Sequence, residues 1–148
     1  MENTLTLIIA VIGAILGVFN TAYAVSRDRL KVVVVPKMAR THLSGKPVNI
    51  LCIEVINKGT SSITISEVGF GLRHTKERMA LVEPIFIDGK MLPYRLEARE
   101  SFSAYTNENI FFEIGFNDIK NAYATTSCGK KFVGTSPALK DVVRKYRG

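Results

Sequence analysis

Histidine and cysteine are the residue types that most often bind metal ions, and this chain has few of either. It contains two histidines, His42 and His74, and two cysteines, Cys52 and Cys128. Each histidine lies in a polar stretch without a second ligand type at the spacing of a zinc site, although Glu77 follows His74 closely. The sequence therefore predicts no metal and no cofactor.

The motifs of phosphate binding and nucleophilic catalysis are missing from the sequence. The Gly-Lys pairs lack both the earlier glycine and the following Ser or Thr of a phosphate loop, and no G-x-S-x-G elbow is present. Carboxylates such as Glu54, Glu67 and Glu113 are spread along the predicted β domain without a partner, as solvated sheet positions would be. We therefore expect a protein that is not an enzyme.

The two cysteines lie in different surroundings. Cys52 has apolar neighbours in a strand-like run, which predicts burial, whereas Cys128 lies in the turn-like sequence Ser-Cys-Gly-Lys, which predicts exposure. In an extracytoplasmic domain the pair would be able to form a disulfide, while in the cytoplasm both thiols would stay reduced. Two free thiols are the preferred interpretation.

An uncharged apolar run near the N-terminus is the strongest signal in the sequence. Residues 5–25 carry no charge, and roughly 20 apolar residues suffice for a helix to cross a membrane. The alternative is a cleaved secretory signal, because Ala22-Tyr23-Ala24 has the small-x-small form of a cleavage site. Such a signal begins with positive charge, however, and here only Glu2 and the terminal amine come first. The sequence predicts a transmembrane helix over residues 1–26.

Basic residues follow this predicted helix directly. Arg27, Arg29 and Lys31 lie just after it, whereas no lysine or arginine precedes it. The positive-inside rule then predicts a single-pass protein of the cell membrane with its C-terminal part in the cytoplasm. The net charge of +7 favours anionic surroundings such as lipid headgroups or nucleic acid, or serves solubility alone.

Small residues recur along one face of the predicted transmembrane helix. Gly13 and Gly17 form a G-x-x-x-G pair, and Thr21 continues the same spacing. A parallel homodimer through this face is one interpretation, because small residues let two helix backbones approach closely. The other is that glycine is simply common in membrane helices.

Short β-branched runs bounded by turn signals follow the apolar segment, and they predict strands. The predicted strands cover 30–35, 48–56, 63–72, 80–87, 91–96, 101–105, 122–126 and 131–133. We expect 91–96 to pair with 80–87 and the last two strands to pair with each other. Residues 108–119 fit either a helical face or a strand, and a short helical turn is expected there.

The spacing of these strands predicts a mainly β fold. It favours a small antiparallel immunoglobulin-like β-sandwich over residues 27–135, with a small open barrel as the alternative. Strands do not alternate with helices, which argues against a parallel α/β sheet.

The C-terminal tail, residues 136–148, is basic and is predicted to form a short helix that begins at Pro137. Its cations suit an anionic membrane surface, and the competing interpretations are a helix packed on the sandwich or a frayed end. The candidate residues for contact with an anionic surface are Arg27, Arg29, Lys31, Lys140, Arg144, Lys145 and Arg147.

Part of the predicted β domain resembles known bacterial domains. Residues 53–59, followed by 63–65 and 68–70, resemble the second and third strands of immunoglobulin-like or fibronectin-type accessory domains. Residues 92–101 resemble the L-P…L-x-P-G-E-S stretch of uncharacterised small bacterial and phage single-pass membrane proteins, but Ala98 and Arg99 stand where that pattern has Pro-Gly. The resemblance implies a β-sandwich on a membrane anchor and transfers no catalytic residue.

These features predict a membrane-anchored, non-enzymatic interaction module that offers loops or a sheet edge to another protein. The alternative is a binder of anionic lipid or nucleic acid through the basic juxtamembrane and C-terminal segments, with nucleic acid the less favoured partner. Strong salt dependence of binding would separate these two hypotheses. A cleft with converging polar side chains would instead revive an enzyme.

Overall fold

The computed structural model of the chain describes residues 2–27, 30–43, 46–86, 89–106 and 118–147. The N-terminal apolar run forms helix α1, Glu2–Arg27. Within it, Asn3–Val25 is long and apolar enough to cross a membrane by length and composition, and none of its most apolar window is buried inside the protein. The apolar surface of α1 is therefore left unburied by the described residues.

The remaining described residues form short strands and one further helix. In chain order these are β1 (Val32–Leu43), β2 (Lys46–Asn57), β3 (Ile63–Leu72), β4 (Arg78–Ala80), β5 (Tyr94–Leu96), β6 (Ser101–Tyr105), β7 (Ile119–Thr126), β8 (Lys131–Gly134) and α2 (Pro137–Arg147).

The strands form two antiparallel sheets. One has the order β1-β2-β6, and the other has the order β4-β3-β7-β8 with β5 also paired to β3. Each sheet directs alternate residues toward a shared apolar core, because successive strand side chains point to opposite faces. The predicted mainly β fold behind one apolar helix is confirmed, in the form of a small β-sandwich-like domain.

Strand β3 shows how a local irregularity keeps the core filled. Ile63 and Ile65 are buried, and so are Val68 and Phe70, although the second pair is out of phase with the first in a strict alternation of two. A register shift between Ile65 and Glu67 restores the phase, because a bulge inserts one extra residue. Both halves of β3 therefore face the same core.

The predicted strand 30–35 is longer in the structure, where β1 continues through Pro36 to Leu43. Proline is tolerated at this position because β1 lies at the edge of its sheet, so the missing N–H removes no bond to a second neighbour. The carbonyl of Pro36 accepts a hydrogen bond from the hydroxyl of Ser136.

The predicted strand 80–87 and its pairing with 91–96 are wrong. Among the described residues of this segment the structure has only β4, Arg78–Ala80, followed by an isolated bridge between Ile85 and Tyr105, and β5 pairs with β3 instead. The apolar pattern arises because Leu81 and Phe86 reach the core from irregular chain. The predicted helical turn at 108–119 lies outside the described residues up to 117, and Ile119 begins β7.

Helix α2 completes the core at the C-terminal end of the chain. Its apolar residues Leu139 and Val143 belong to the same buried cluster as the strand residues. Ser136 caps the helix, since its hydroxyl oxygen accepts a hydrogen bond from the Leu139 N–H at 3.1 Å. Of the predicted states of the tail, the structure shows a helix packed on the sandwich.

Candidate functional site

The surface of α1 is apolar on every side. Its large apolar side chains, which include Leu7 and Phe19, are 50–70% exposed. A helix that is apolar all round is either buried in a large protein or inserted in a membrane. Nothing in the described part of this chain covers it.

The small-residue face of α1 is open. A side chain added at Gly13 or Gly17 would meet no atom within 4 Å. The hydroxyl of Thr21 donates a hydrogen bond to the Gly17 carbonyl at 2.9 Å, so it is satisfied within the helix. No described residue occupies this face, and the homodimer remains a prediction.

The predicted juxtamembrane cations differ in how far the structure describes them. Arg27 is the last residue of α1, and Arg29 lies outside the described residues. Lys31 is exposed, and its carbonyl accepts a hydrogen bond from the Lys58 N–H at 2.7 Å. Lys31 is thus fixed beside the turn that follows β2, and Lys58 is a cation that the sequence analysis did not single out.

The predicted cations of the tail lie on α2. Lys140 is exposed, and the exposed Arg144 side chain contacts Asp141 at 2.9 Å. Lys145 and Arg147 belong to the helix, but their side chains lie outside the description. Because the apolar face of α2 packs on the core, only its polar face is left for a membrane surface. Contact of these cations with lipid remains a prediction.

The side chain of Asn57 joins two turns of the domain. It is 1% exposed, and its amide nitrogen donates to the carbonyls of Ser61 at 2.8 Å, Glu97 at 3.0 Å and Leu96 at 3.3 Å. Its side-chain oxygen accepts from the Gly59 N–H at 2.9 Å. A buried amide needs such partners, since an unpaired one would cost about 1–3 kcal/mol. Asn57 therefore holds two turns together.

Glu100 organises the turn between β5 and β6. Its carboxylate accepts hydrogen bonds from the Tyr94 hydroxyl at 2.7 Å, the Glu97 N–H at 2.8 Å and the Lys90 ammonium at 3.1 Å. The hydrogen bond from Tyr94 is the largest cause that holds the pKa of Glu100 below its usual range. Arg99 in this turn has φ +62°, in the left-handed region that glycine favours.

A charged cluster lies on the outer face of the second sheet. The buried Tyr123 donates its hydroxyl proton to Glu67 at 2.5 Å, and Arg78 lies 3.4 Å from the same carboxylate. Burial, and then the hydrogen bond to Glu67, raises the pKa of Tyr123, so the hydroxyl stays protonated as a donor. The ammonium of Lys131 covers the ring at 4.2 Å. The cluster is a sheet-stabilising arrangement in which the carboxylate has a fixed partner.

The other two carboxylates of the sequence analysis have different outcomes. Glu54 forms an ion pair with Lys37 at 2.6 Å across the first sheet, whereas Glu113 lies outside the described residues.

His74 is exposed and lies 4.0 Å from Asp118, and the side chain of His42 is not described. Among the described residues no group of three potential metal ligands comes together.

The two cysteines have opposite environments, in agreement with the sequence analysis. Cys52 is buried on β2, on the face opposite the core, and burial raises the pKa of its thiol. Cys128 is exposed in the turn between β7 and β8, where a hydrogen bond with Thr126 lowers the pKa of its thiol. Both are free thiols in the structure. Cys128 is therefore the reactive one.

Comparison with known proteins adds no relative. Neither a protein-family model nor a curated protein nor a solved structure matches this chain. The resemblance to bacterial immunoglobulin-like membrane proteins consequently stays a prediction from the sequence.

Proposed function

We propose that this is a single-pass membrane protein in which α1 tethers a non-enzymatic, immunoglobulin-like interaction module to the cytoplasmic face of the cell membrane. The observation that carries the proposal is the contrast between an apolar helix whose most apolar window is not buried by the described chain and a domain with its own core. The tethered module would offer its loops or a sheet edge to another protein.

The energetics of α1 support the membrane tether. Moving one large aliphatic side chain out of water contributes roughly 1.5–3 kcal/mol, and α1 exposes many of them over Asn3–Val25. As a helix it also satisfies its backbone hydrogen bonds internally, which the hydrocarbon core requires. Insertion in a bilayer would therefore bury the apolar side chains of α1 without any contact with the sandwich.

The flanking charges support the cytoplasmic orientation. Arg27, Arg29 and Lys31 follow the apolar run, and no lysine or arginine precedes it in the printed sequence. Retention of basic flanks on the cytoplasmic side would place the sandwich there.

Labelling of Cys128 in intact cells tests the orientation. Cys128 is exposed, and the hydrogen bond with Thr126 lowers the pKa of its thiol, which favours the thiolate that reacts with a maleimide. We expect labelling by a membrane-permeant maleimide and protection from an impermeant one until the cells are opened. The matched control is Cys128→Ser, which leaves only the buried Cys52. Labelling of intact cells by the impermeant reagent would place the sandwich outside.

A further inference from the structure

One end of the sandwich must stay close to the end of α1. The helix ends at Arg27, and β1 begins at Val32. Five residue steps extend no further than about 18 Å, whatever their conformation. The end of the sandwich that holds the start of β1 is therefore the end next to the membrane in the proposed function, on which this inference rests.

The antiparallel register shows which turns share that end. Val32 pairs with Asn57 and Ile56 with Ser101, so the start of β1 lies beside the end of β2 and the start of β6. In the second sheet the start of β3 lies beside the end of β5 and the end of β7. We call this the tether end; it consists of Lys31 and the turns 57–62, 97–100 and 127–130.

Backbone hydrogen bonds tie these turns to one another. The N–H of Lys58 donates to the Lys31 carbonyl at 2.7 Å, and the N–H of Asn57 donates to the Glu100 carbonyl at 2.9 Å. The N–H of Ser127 donates to the carbonyl of Thr64, which lies at the start of β3 directly after the turn 57–62, also at 2.9 Å. The tether end is thus a set of linked short turns with fixed relative positions.

Exposed cations come from every part of the tether end. They are Lys31, Lys58, Arg99 and Lys130, and none of them has a carboxylate partner within the described residues. The carboxylates of the same turns are already paired: Glu97 with Arg95 at 3.0 Å, and Glu100 with Lys90 at 3.1 Å. The tether end therefore carries uncompensated positive charge.

We propose that these four cations bind the headgroups of anionic phospholipids, so that the tether end rests on the membrane surface. The short connection holds them near the bilayer, where the cytoplasmic leaflet is negatively charged and its potential acts over about 10 Å. A nucleic acid would have to reach the same cations next to that surface. Their position thus favours lipid as the partner. The opposite end of the sandwich then points away from the membrane.

The test measures how close Cys128 lies to the lipid headgroups. The full chain carrying Cys52→Ala is labelled at Cys128 with a fluorescent donor and reconstituted into vesicles with an acceptor on a headgroup. One set of vesicles is phosphatidylcholine alone, and the other also contains phosphatidylserine. We expect stronger energy transfer in the phosphatidylserine vesicles at low salt, and loss of the difference at high salt.

A matched pair of triple variants separates local contact from net charge. Lys58→Gln, Arg99→Asn and Lys130→Gln together should lower the ratio of docked to undocked sandwich about a hundredfold in phosphatidylserine vesicles. The control removes the same charge from exposed residues at the opposite end, through Arg40→Gln, Lys76→Gln and Lys120→Gln, and should leave energy transfer unchanged.

The outcomes distinguish this inference from the proposed function. A chain that floats with phosphatidylcholine vesicles but shows equal energy transfer in both lipids keeps the tether and overturns the headgroup contact. An equal loss of energy transfer in both triple variants also overturns the headgroup contact, because positive charge anywhere on the sandwich would then have the same effect. Tight binding of a short RNA duplex that releases Cys128 from the vesicles would assign the cations to nucleic acid. Failure to float at all would instead contradict the membrane tether.

Discussion

The two helices of this chain differ both in composition and in how far they are buried. α1 is apolar throughout, yet its large side chains are exposed. α2 is rich in charged residues, yet Leu139 is 1% exposed and Val143 is 4% exposed. The contrast shows two ways of using apolar residues: α2 packs a narrow apolar stripe against the sandwich, whereas the apolar surface of α1 is left unburied by the described chain.

Charge inside α1 should have the largest effect. Replacement of Ile12 and Leu16 by aspartate should abolish membrane retention, because each charge near the middle of a membrane helix costs roughly 2.5–3.5 kcal/mol or more. Extraction of membranes with alkaline carbonate measures this loss. The unfolding midpoint of the sandwich should not move, since neither side chain contacts it. A variant that stays in the membrane pellet would argue against α1 as the span.

The converse change removes the apolar stripe of α2. Leu139→Ala should lower the free energy of unfolding of the sandwich by about 2–5 kcal/mol, because it leaves a cavity in the core. Urea unfolding of the full chain in mild detergent, followed by the strand signal in circular dichroism, measures it. Leu7→Ala in the exposed α1 is the matched control and should have no effect on this transition. Equal stability of both variants would mean that α2 is not part of the core.

Ser136 provides a smaller effect that concerns only the attachment of α2. Its hydroxyl caps the helix at the Leu139 N–H and donates to the Pro36 carbonyl on β1. Ser136→Ala should therefore lower the free energy of unfolding by about 1–2 kcal/mol. Thr135→Ala next to it, at an exposed position, should change the same transition by less than about 0.5 kcal/mol. If the two variants behave alike, the cap does not hold α2 in place.

The smallest effect belongs to the polar face of α2. The ion pair between Asp141 and Arg144 is largely exposed, with side chains 67% and 83% accessible, so water and salt screen it. Asp141→Asn should shift the free energy of unfolding by no more than about 0.5 kcal/mol. A loss comparable to that of Leu139→Ala in the same urea titration would show that charge, and not the apolar stripe, attaches α2.

Local patterns in the sequence predicted the parts of the fold that depend on local physics. The uncharged run gave α1 because length and apolarity alone decide whether a helix can span a membrane. The predicted bounds of β2, β3 and β6 agree closely with the observed strands, because one face of each strand is buried and gives an alternating pattern. Cys128 was correctly predicted to be exposed from its turn sequence.

Pairings between distant segments were not predictable in the same way. The apolar residues Leu81 and Phe86 resemble strand residues, but they enter the core from irregular chain. The partner of β5 depends on which strand is already beside it in space, and no local pattern encodes that choice. The charged pairs, such as Lys37 with Glu54, likewise depend on the register of β1 against β2.

The tether end contains one cation that the local sequence predicted and others that only the fold brings beside it. Lys31 was predictable as a juxtamembrane cation, whereas Lys58 and Lys130 became its neighbours only through the register of two sheets. Arg99 occupies a position where the resembling pattern has glycine, and its φ of +62° shows that the turn does require a left-handed residue. The resemblance alone indicated that this turn needs a left-handed residue. The positive charge at Arg99 is a property of this sequence that the resemblance does not contain.

Extraction with alkaline carbonate followed by intact mass tests whether α1 anchors the self-contained sandwich to the membrane. We predict that the full chain stays in the membrane pellet with a mass that includes α1, while a chain lacking residues 1–27 is released as a folded, strand-rich protein. Release of the full chain into the supernatant would contradict the membrane anchor, because α1 would then be a soluble helix. A mass that corresponds to a chain starting at Val25 would contradict it too, because α1 would then be a cleaved signal.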